Sequence, residues 1–168
     1  MTTATPVLRD LVYTADIRPQ IKLLVGKDGM QSMWEDIYQT CRKNRIKDMY
    51  AIGSQGPRSI NPKYFPTWEK KIKTLGTTLH IAVPKPIEGY VPPRPYDIRF
   101  YPKEYKTGGT FTIYGNKVAI GTFDKDRPHA TIIESKAIAA QFKQLWELVW
   151  SFSIEPTAVE QLDGANEE

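Results

Sequence analysis

Residues 108–122, Gly-Gly-Thr-Phe-Thr-Ile-Tyr-Gly-Asn-Lys-Val-Ala-Ile-Gly-Thr, constrain the fold more than any other stretch. They read as two strands joined by a tight turn. Phe111, Ile113, Val118 and Ile120 supply apolar β-formers at alternate positions. Gly115-Asn116 supplies the positive-φ pair that a two-residue hairpin loop needs. A hairpin of this kind is antiparallel, so any sheet that contains it cannot be wholly parallel.

Around the hairpin, strands alternate with helices. Residues 21–25 form an apolar strand, and Gly26-Lys27-Asp28-Gly29 reads as the turn into a helix. Met30, Met33, Trp34, Ile37, Tyr38 and Cys41 recur at helical spacing. Asp28 is the expected N-cap, and Arg42, Lys43 and Arg45 suit the last turn. Residues 49–52 are a second strand, ended by Gly53-Ser54-Gln55-Gly56-Pro57. Pro66 fits the first turn of a helix carrying Trp68, Ile72 and Leu75, which Gly76 closes. Residues 78–83 are a third strand, and a proline-rich connection covers 84–95. Residues 97–101 and 130–133 add strands on either side of the hairpin, the latter after a charged turn from Asp124 to Pro128. A last helix starts near Ser135 and turns Ile138, Phe142, Leu145, Trp146 and Val149 to one face. This order predicts an α/β sandwich whose first three strands are mostly parallel, because helices connect them. Trp34, Trp68 and Trp146 are expected in the core, and Trp150 at a dimer contact.

With 168 residues, 40% of them hydrophobic, the chain is read as one domain. Its expected limits are 18–152. Residues 1–17 form an N-terminal segment, with a short helix end at 7–13, and 153–168 a frayed acidic tail. No apolar run approaches the ~18 residues of a membrane span, and the first twenty residues lack the pattern of a secretory signal. One cysteine excludes an internal disulfide. A cytoplasmic protein without membrane attachment is expected. The net charge of +4 is mildly basic. Its two clusters, Arg42, Lys43, Arg45, Lys47 and Lys70, Lys71, Lys73, read as solvated helix faces before they read as a nucleic-acid surface. Two histidines and one cysteine at wide spacing make no zinc signature. Asp124 and Asp126 lack the spacing of a calcium loop. Gly26-Lys27-Asp28-Gly29 is no phosphate loop, and Ser54 lacks the context of a hydrolase nucleophile. No metal and no cofactor is expected.

Several stretches recur in one order. They include Arg18-Pro19-Gln20-Ile21-Lys22, Val25 to Met30, Trp34-Glu35-Asp36-Ile37, Ala51-Ile52-Gly53-Ser54 and Tyr64-Phe65-Pro66-Thr67-Trp68. Leu75 to Ile81, Arg99-Phe100-Tyr101-Pro102, Ile113 to Ile120, Ile132-Ile133-Glu134 and Phe142 to Trp150 follow. Together they make residues 18–150 resemble the ligand-sensing domain of TrmB-like transcriptional regulators. The resemblance implies a single phospholipase D-like domain, a mixed sheet flanked by helices. In the phospholipase D superfamily the first hairpin strand carries His-x-Lys, followed after four intervening residues by Asp near the turn. Setting Asn116 at the Asp position puts Gly109 at the histidine and Phe111 at the lysine. The resemblance thus implies a fold that binds instead of cutting. Family regulators usually carry a winged helix-turn-helix and a dimerising helix before the segment that begins here at Arg18, and some add a sugar-binding β-domain. Neither is found in this sequence, so an excised or stand-alone sensor domain is expected.

Ligands of open α/β sheets lie at the carboxyl ends of strands. The expected ligand site is therefore Ser54, Gln55, Arg58, Lys85, Thr110 and Phe111, for an unidentified small anionic or polyol metabolite. A DNA-binding partner or a missing helix-turn-helix domain would read the signal, and a monomer or weak homodimer is expected. Two other readings compete. One is an active phosphodiesterase or nuclease that uses His80 or His129, although neither has a lysine two residues on. The other is a structural dimerisation module without ligand.

Overall fold

A computed structural model describes residues 18–53, 57–85 and 96–156. The readings placed on 1–17, Ser54, Gln55, 86–95 and the tail from 157 lie outside them. Strand β1 (Gln20–Val25) runs directly into α1 (Gly26–Asn44). Strand β2 (Asp48–Ile52) is followed by a single helical turn, α2 (Pro57–Ile60), and by α3 (Tyr64–Thr74). Then come β3 (Thr78–Pro84), β4 (Tyr96–Tyr101) and the hairpin β5 (Gly109–Tyr114) and β6 (Lys117–Thr122). Strand β7 (His129–Glu134) and helix α4 (Lys136–Phe152) complete the order.

All seven strands form one mixed sheet, in the order β1-β7-β6-β5-β2-β3-β4. The expectation of mostly parallel leading strands holds in direction: the four antiparallel steps from β1 through β7, β6 and β5 to β2 leave β1 running the same way as β2 and β3, although it pairs with neither. Strands β2, β3 and β4 pair in parallel. Strand β1 instead sits at the far edge, antiparallel to β7. The α1 crossover skips three places in the sheet, which β5, β6 and β7 later fill as an antiparallel run.

Two layers of helix cover the sheet. Helices α1 and α3 share one face, where Met30, Met33, Trp34, Ile37 and Cys41 meet Met49, Ala51, Tyr114, Ala119 and Ile132. The two helices lock together through the Trp68 indole, which donates to the Trp34 carbonyl at 2.6 Å. Phe65 wedges between the two indoles. Helix α4 covers the opposite face, where Ala139 and Trp146 pack on Ile113 and Val118. Trp34, Trp68 and Trp146 are buried as expected. Trp150 is not a free contact at the helix end. It is half-buried, stacks on Trp146 at 4.7 Å and lies under the Arg99 guanidinium, also at 4.7 Å.

Two local expectations are corrected. Helix α1 begins at Gly26, so Asp28 lies inside its first turn and Val25 occupies the cap position. The chain turns from strand to helix at Gly26, whose φ is 74°, and Gly29 packs against Leu24 so closely that an added Cβ would lie 2.7 Å from its carbonyl carbon. Strand and helix therefore meet without a loop. In the hairpin turn only Gly115 has positive φ (64°), so Asn116 does not share that role. A glycine at the first of two loop positions is the alternative hairpin chemistry. Helix α4 starts as read, with Ser135 accepting from the Ile138 amide at 3.4 Å. No helix among the described residues is long and apolar enough to cross a membrane.

One polar tie, not foreseen from the sequence, fastens the hairpin to α1. The Asp36 carboxylate accepts from Lys117 Nζ at 3.0 and 3.2 Å and from the Tyr114 hydroxyl at 3.0 Å. Burial opposes ionisation of Asp36, but Lys117, Tyr114 and Lys22 outweigh it and hold the carboxyl below its ordinary value. The same burial and the Asp36 charge push the Tyr114 hydroxyl up.

Candidate functional site

The carboxyl ends of β2, β3 and β4 and the start of β5 converge. Past β2, the Gly53 amide donates to the Ala82 carbonyl at 3.0 Å. Past β3, the Lys85 amide donates to the Tyr101 carbonyl at 2.9 Å. Phe111 lies opposite Ile52 across the β2–β5 pair. The Thr110 hydroxyl donates to the Ile52 carbonyl at 2.8 Å, and the buried Tyr101 hydroxyl reaches the Gly53 carbonyl at 3.4 Å. Glycine is required at 53, because a Cβ there would collide with the Thr110 side chain.

Lys85 and Thr110 thus reach the same end of the sheet. Phe111 follows the pleat to the other face, where its ring meets Phe142 of α4 edge-on at 5.1 Å. Arg58 lies in α2, within the single turn that follows β2. Ser54 and Gln55 lie outside the described residues. The sequence reading missed Tyr101, whose burial pushes its hydroxyl up while a bond from Thr107 partly offsets the shift. Its signal was its place as the last residue of β4, just before Pro102.

Gly109 and Phe111 stand in β5, on the strand and face the resemblance assigns to His-x-Lys. Gly109 is pinched against β6: an added Cβ would collide with the Gly121 carbonyl oxygen. Phe111 offers a ring where a phosphate-holding cation is needed.

Both histidines are engaged elsewhere. His80, on β3, contacts Asp97 through Nδ1 at 2.8 Å and Asp48 through Nε2 at 2.9 Å. Its ring stacks on Tyr50 at 5.4 Å and meets Trp146 and Trp150 edge-on. A nucleophilic imidazole needs one ring nitrogen turned toward substrate, and here both face carboxylates. His129 is exposed at the start of β7, with Nδ1 3.1 Å from both the Arg127 carbonyl and the Thr122 hydroxyl.

Two clefts lie away from the converging strand ends. One, of about 410 Å³, runs between the start of β2, the hairpin turn and α4, and presents Lys47, Lys136 and Lys143 beside Asp48. The other, of about 440 Å³, lies between α1 and α3. There Glu35 accepts from Gln39 at 2.6 Å, Tyr64 at 2.8 Å and Lys71 at 3.1 Å. The Gln39 bond leads in holding the Glu35 carboxyl below its ordinary value, against some opposition from burial. Among the described residues no group of three His, Cys, Asp or Glu side chains could hold a metal ion.

No protein-family model and no curated protein matches the chain. Solved structures do. Nuc, a phospholipase D family member from Salmonella typhimurium, is similar with a TM-score of 0.57 at 12% identity, covering 82% of this chain and 98% of that one. NucT from Helicobacter pylori is similar with a TM-score of 0.59 at 9% identity, covering 82% and 99%. TrmBL2, described as an archaeal chromatin protein with a novel mode of DNA binding, is similar with a TM-score of 0.51 at 12% identity. That likeness covers 88% of this chain and 58% of TrmBL2. At such identities the likeness speaks for the fold alone. The chain has the α/β fold of these phospholipase D-like proteins: a seven-stranded mixed sheet with α1 and α3 on one face and α4 on the other.

Proposed function

We propose that this chain is a non-catalytic ligand-sensing domain of the TrmB-like kind, which holds a small anionic or polyol metabolite at the carboxyl ends of β2 and β3. A DNA-binding domain or partner would read the bound state. The observation that carries this reading is β5. The superfamily's chemistry needs a nucleophilic histidine and a phosphate-holding lysine two residues apart. Here Gly109 has no room for a side chain and Phe111 is packed on Phe142. The likeness to TrmBL2 over most of this chain supports the same reading.

A thermal-shift screen of the purified chain against a metabolite library tests it. A ligand present at ~100 times its Kd is expected to add about 2.7 kcal/mol of stability. Lys85→Ala and Arg58→Ala are then each tested for weaker binding. A hit that both variants bind as well as the native chain does would move the site elsewhere. A library without any hit favours the module that binds no ligand.

A further inference from the structure

We infer that His80 is a proton-operated clasp, which in its charged form ties β2 to β4 across β3. The register sets Tyr50 of β2 and Asp97 of β4 on either side of His80. Asp48 lies two residues before Tyr50, so its side chain shares that face of the sheet. Asp97 is 2.8 Å from the ring at Nδ1 and Asp48 is 2.9 Å from it at Nε2. An ionised carboxylate only accepts hydrogen bonds, and a neutral imidazole carries one N–H and one lone pair. A neutral ring therefore satisfies one carboxylate and turns a lone pair on the other. The imidazolium donates to both, through two charge-assisted bonds.

The charges around the ring favour its charged form. Among the described residues Asp48 and Asp97 have no ion-pair partner other than His80. The nearby cations have acids of their own. Lys143 of α4 lies over the Tyr50 and Trp146 rings at 3.9 and 4.4 Å and bonds Glu147 at 2.9 Å. Arg99 of β4 lies over Trp150 and pairs with Glu155 at 3.3 Å. Lys47 precedes Asp48 but alternates to the other face, toward Gly76. Helix α4 meets the ring with the neutral side chains Trp146 and Trp150, edge-on. Thr78 and Ala82, on the same face of β3, carry no charge. The Tyr50 ring stacks on the imidazole at 5.4 Å, where an aromatic face attracts a cation.

The His80 side chain is 23% exposed, which lets it exchange its proton with solvent while the rings hold its orientation. Charged, it keeps both bonds. As pH rises through the range in which histidines lose their proton, one bond is lost and the contribution to stability falls. Below about pH 4 protonation of the carboxylates removes it from the other side. The strands so clasped are those whose carboxyl ends converge at the candidate site, but the inference does not depend on what they bind.

Urea unfolding of the native chain and of His80→Gln, at pH 5.5 and at pH 8.0, tests it. The unfolding constant of the variant relative to the native chain is expected to be roughly five-fold larger at pH 5.5 than at pH 8.0. Titration of His129 is common to both proteins and cancels. Asp97→Asn, at a half-exposed position, provides a second variant should His80→Gln fail to fold. An Asn amide can donate to the lone pair of a neutral ring, so this variant too should be weakened most at pH 5.5 and recover at pH 8.0. A stability gap to either folded variant that is the same at both pH values, or wider at pH 8.0, overturns the inference.

Discussion

Asp36 and Cys41 show how single side chains of α1 depend on what lies over them. Asp36 is mostly buried, and three elements meet at its carboxylate. Among the described residues, Asp36→Asn leaves the Lys117 ammonium only its longer ion pair with Glu134, at 3.9 Å, and is expected to cost about 2 kcal/mol in urea unfolding. The sign with pH follows from the lowered carboxyl. Its contribution is fully present above the unfolded-state pKa and is lost as pH falls through the folded-state value. The stability gap between the native chain and Asp36→Asn should therefore stay constant near neutrality and narrow below about pH 4. Cys41 is fully buried against Met49, and burial pushes its thiol up to about 12. It should resist iodoacetamide in the native chain and react once the chain is unfolded in urea. Rapid native labelling would show that α1 does not close over it as described.

At the scale of elements, what was legible was local. Alternating apolar residues marked β5 and β6, 3.6-residue spacing marked α1, and Ser135 marked the start of α4, because those signals are carried by neighbours in sequence. What the sequence hid was set by contact at a distance. Asp28 looked like a cap, but the chain turns into α1 at Gly26, and Gly29 packs closely on Leu24. Helical connections indicated the shared direction of β1, β2 and β3, but not that pairing with β7 takes β1 to the far edge. The candidate site was legible in the same measure. Strand ends predicted that Lys85 and Thr110 would reach one end of the sheet, whereas the pleat turned Phe111 to α4. The hairpin also yields a test of the lost motif. Gly109→His with Phe111→Lys restores the residue types but not the room. The double variant should lose about 1–3 kcal/mol through overpacking against β6, measured by thermal unfolding. It should also gain no phosphodiesterase activity.

At the scale of the whole molecule, one sheet carries α1 and α3 on one face and α4 on the other. Its carboxyl-terminal edge gathers Gly53, Lys85, Tyr101 and Thr110. The sequence reading expected at most weak pairing at the end of the last helix. The proposed function requires that this phospholipase D-like fold bind without cutting. Turnover of a generic phosphodiester, bis(p-nitrophenyl) phosphate, by the native chain and by His80→Ala and His129→Ala tests it most directly. Release of nitrophenol no faster than in buffer is expected for all three proteins. Turnover by the native chain that disappears in either histidine variant would contradict it.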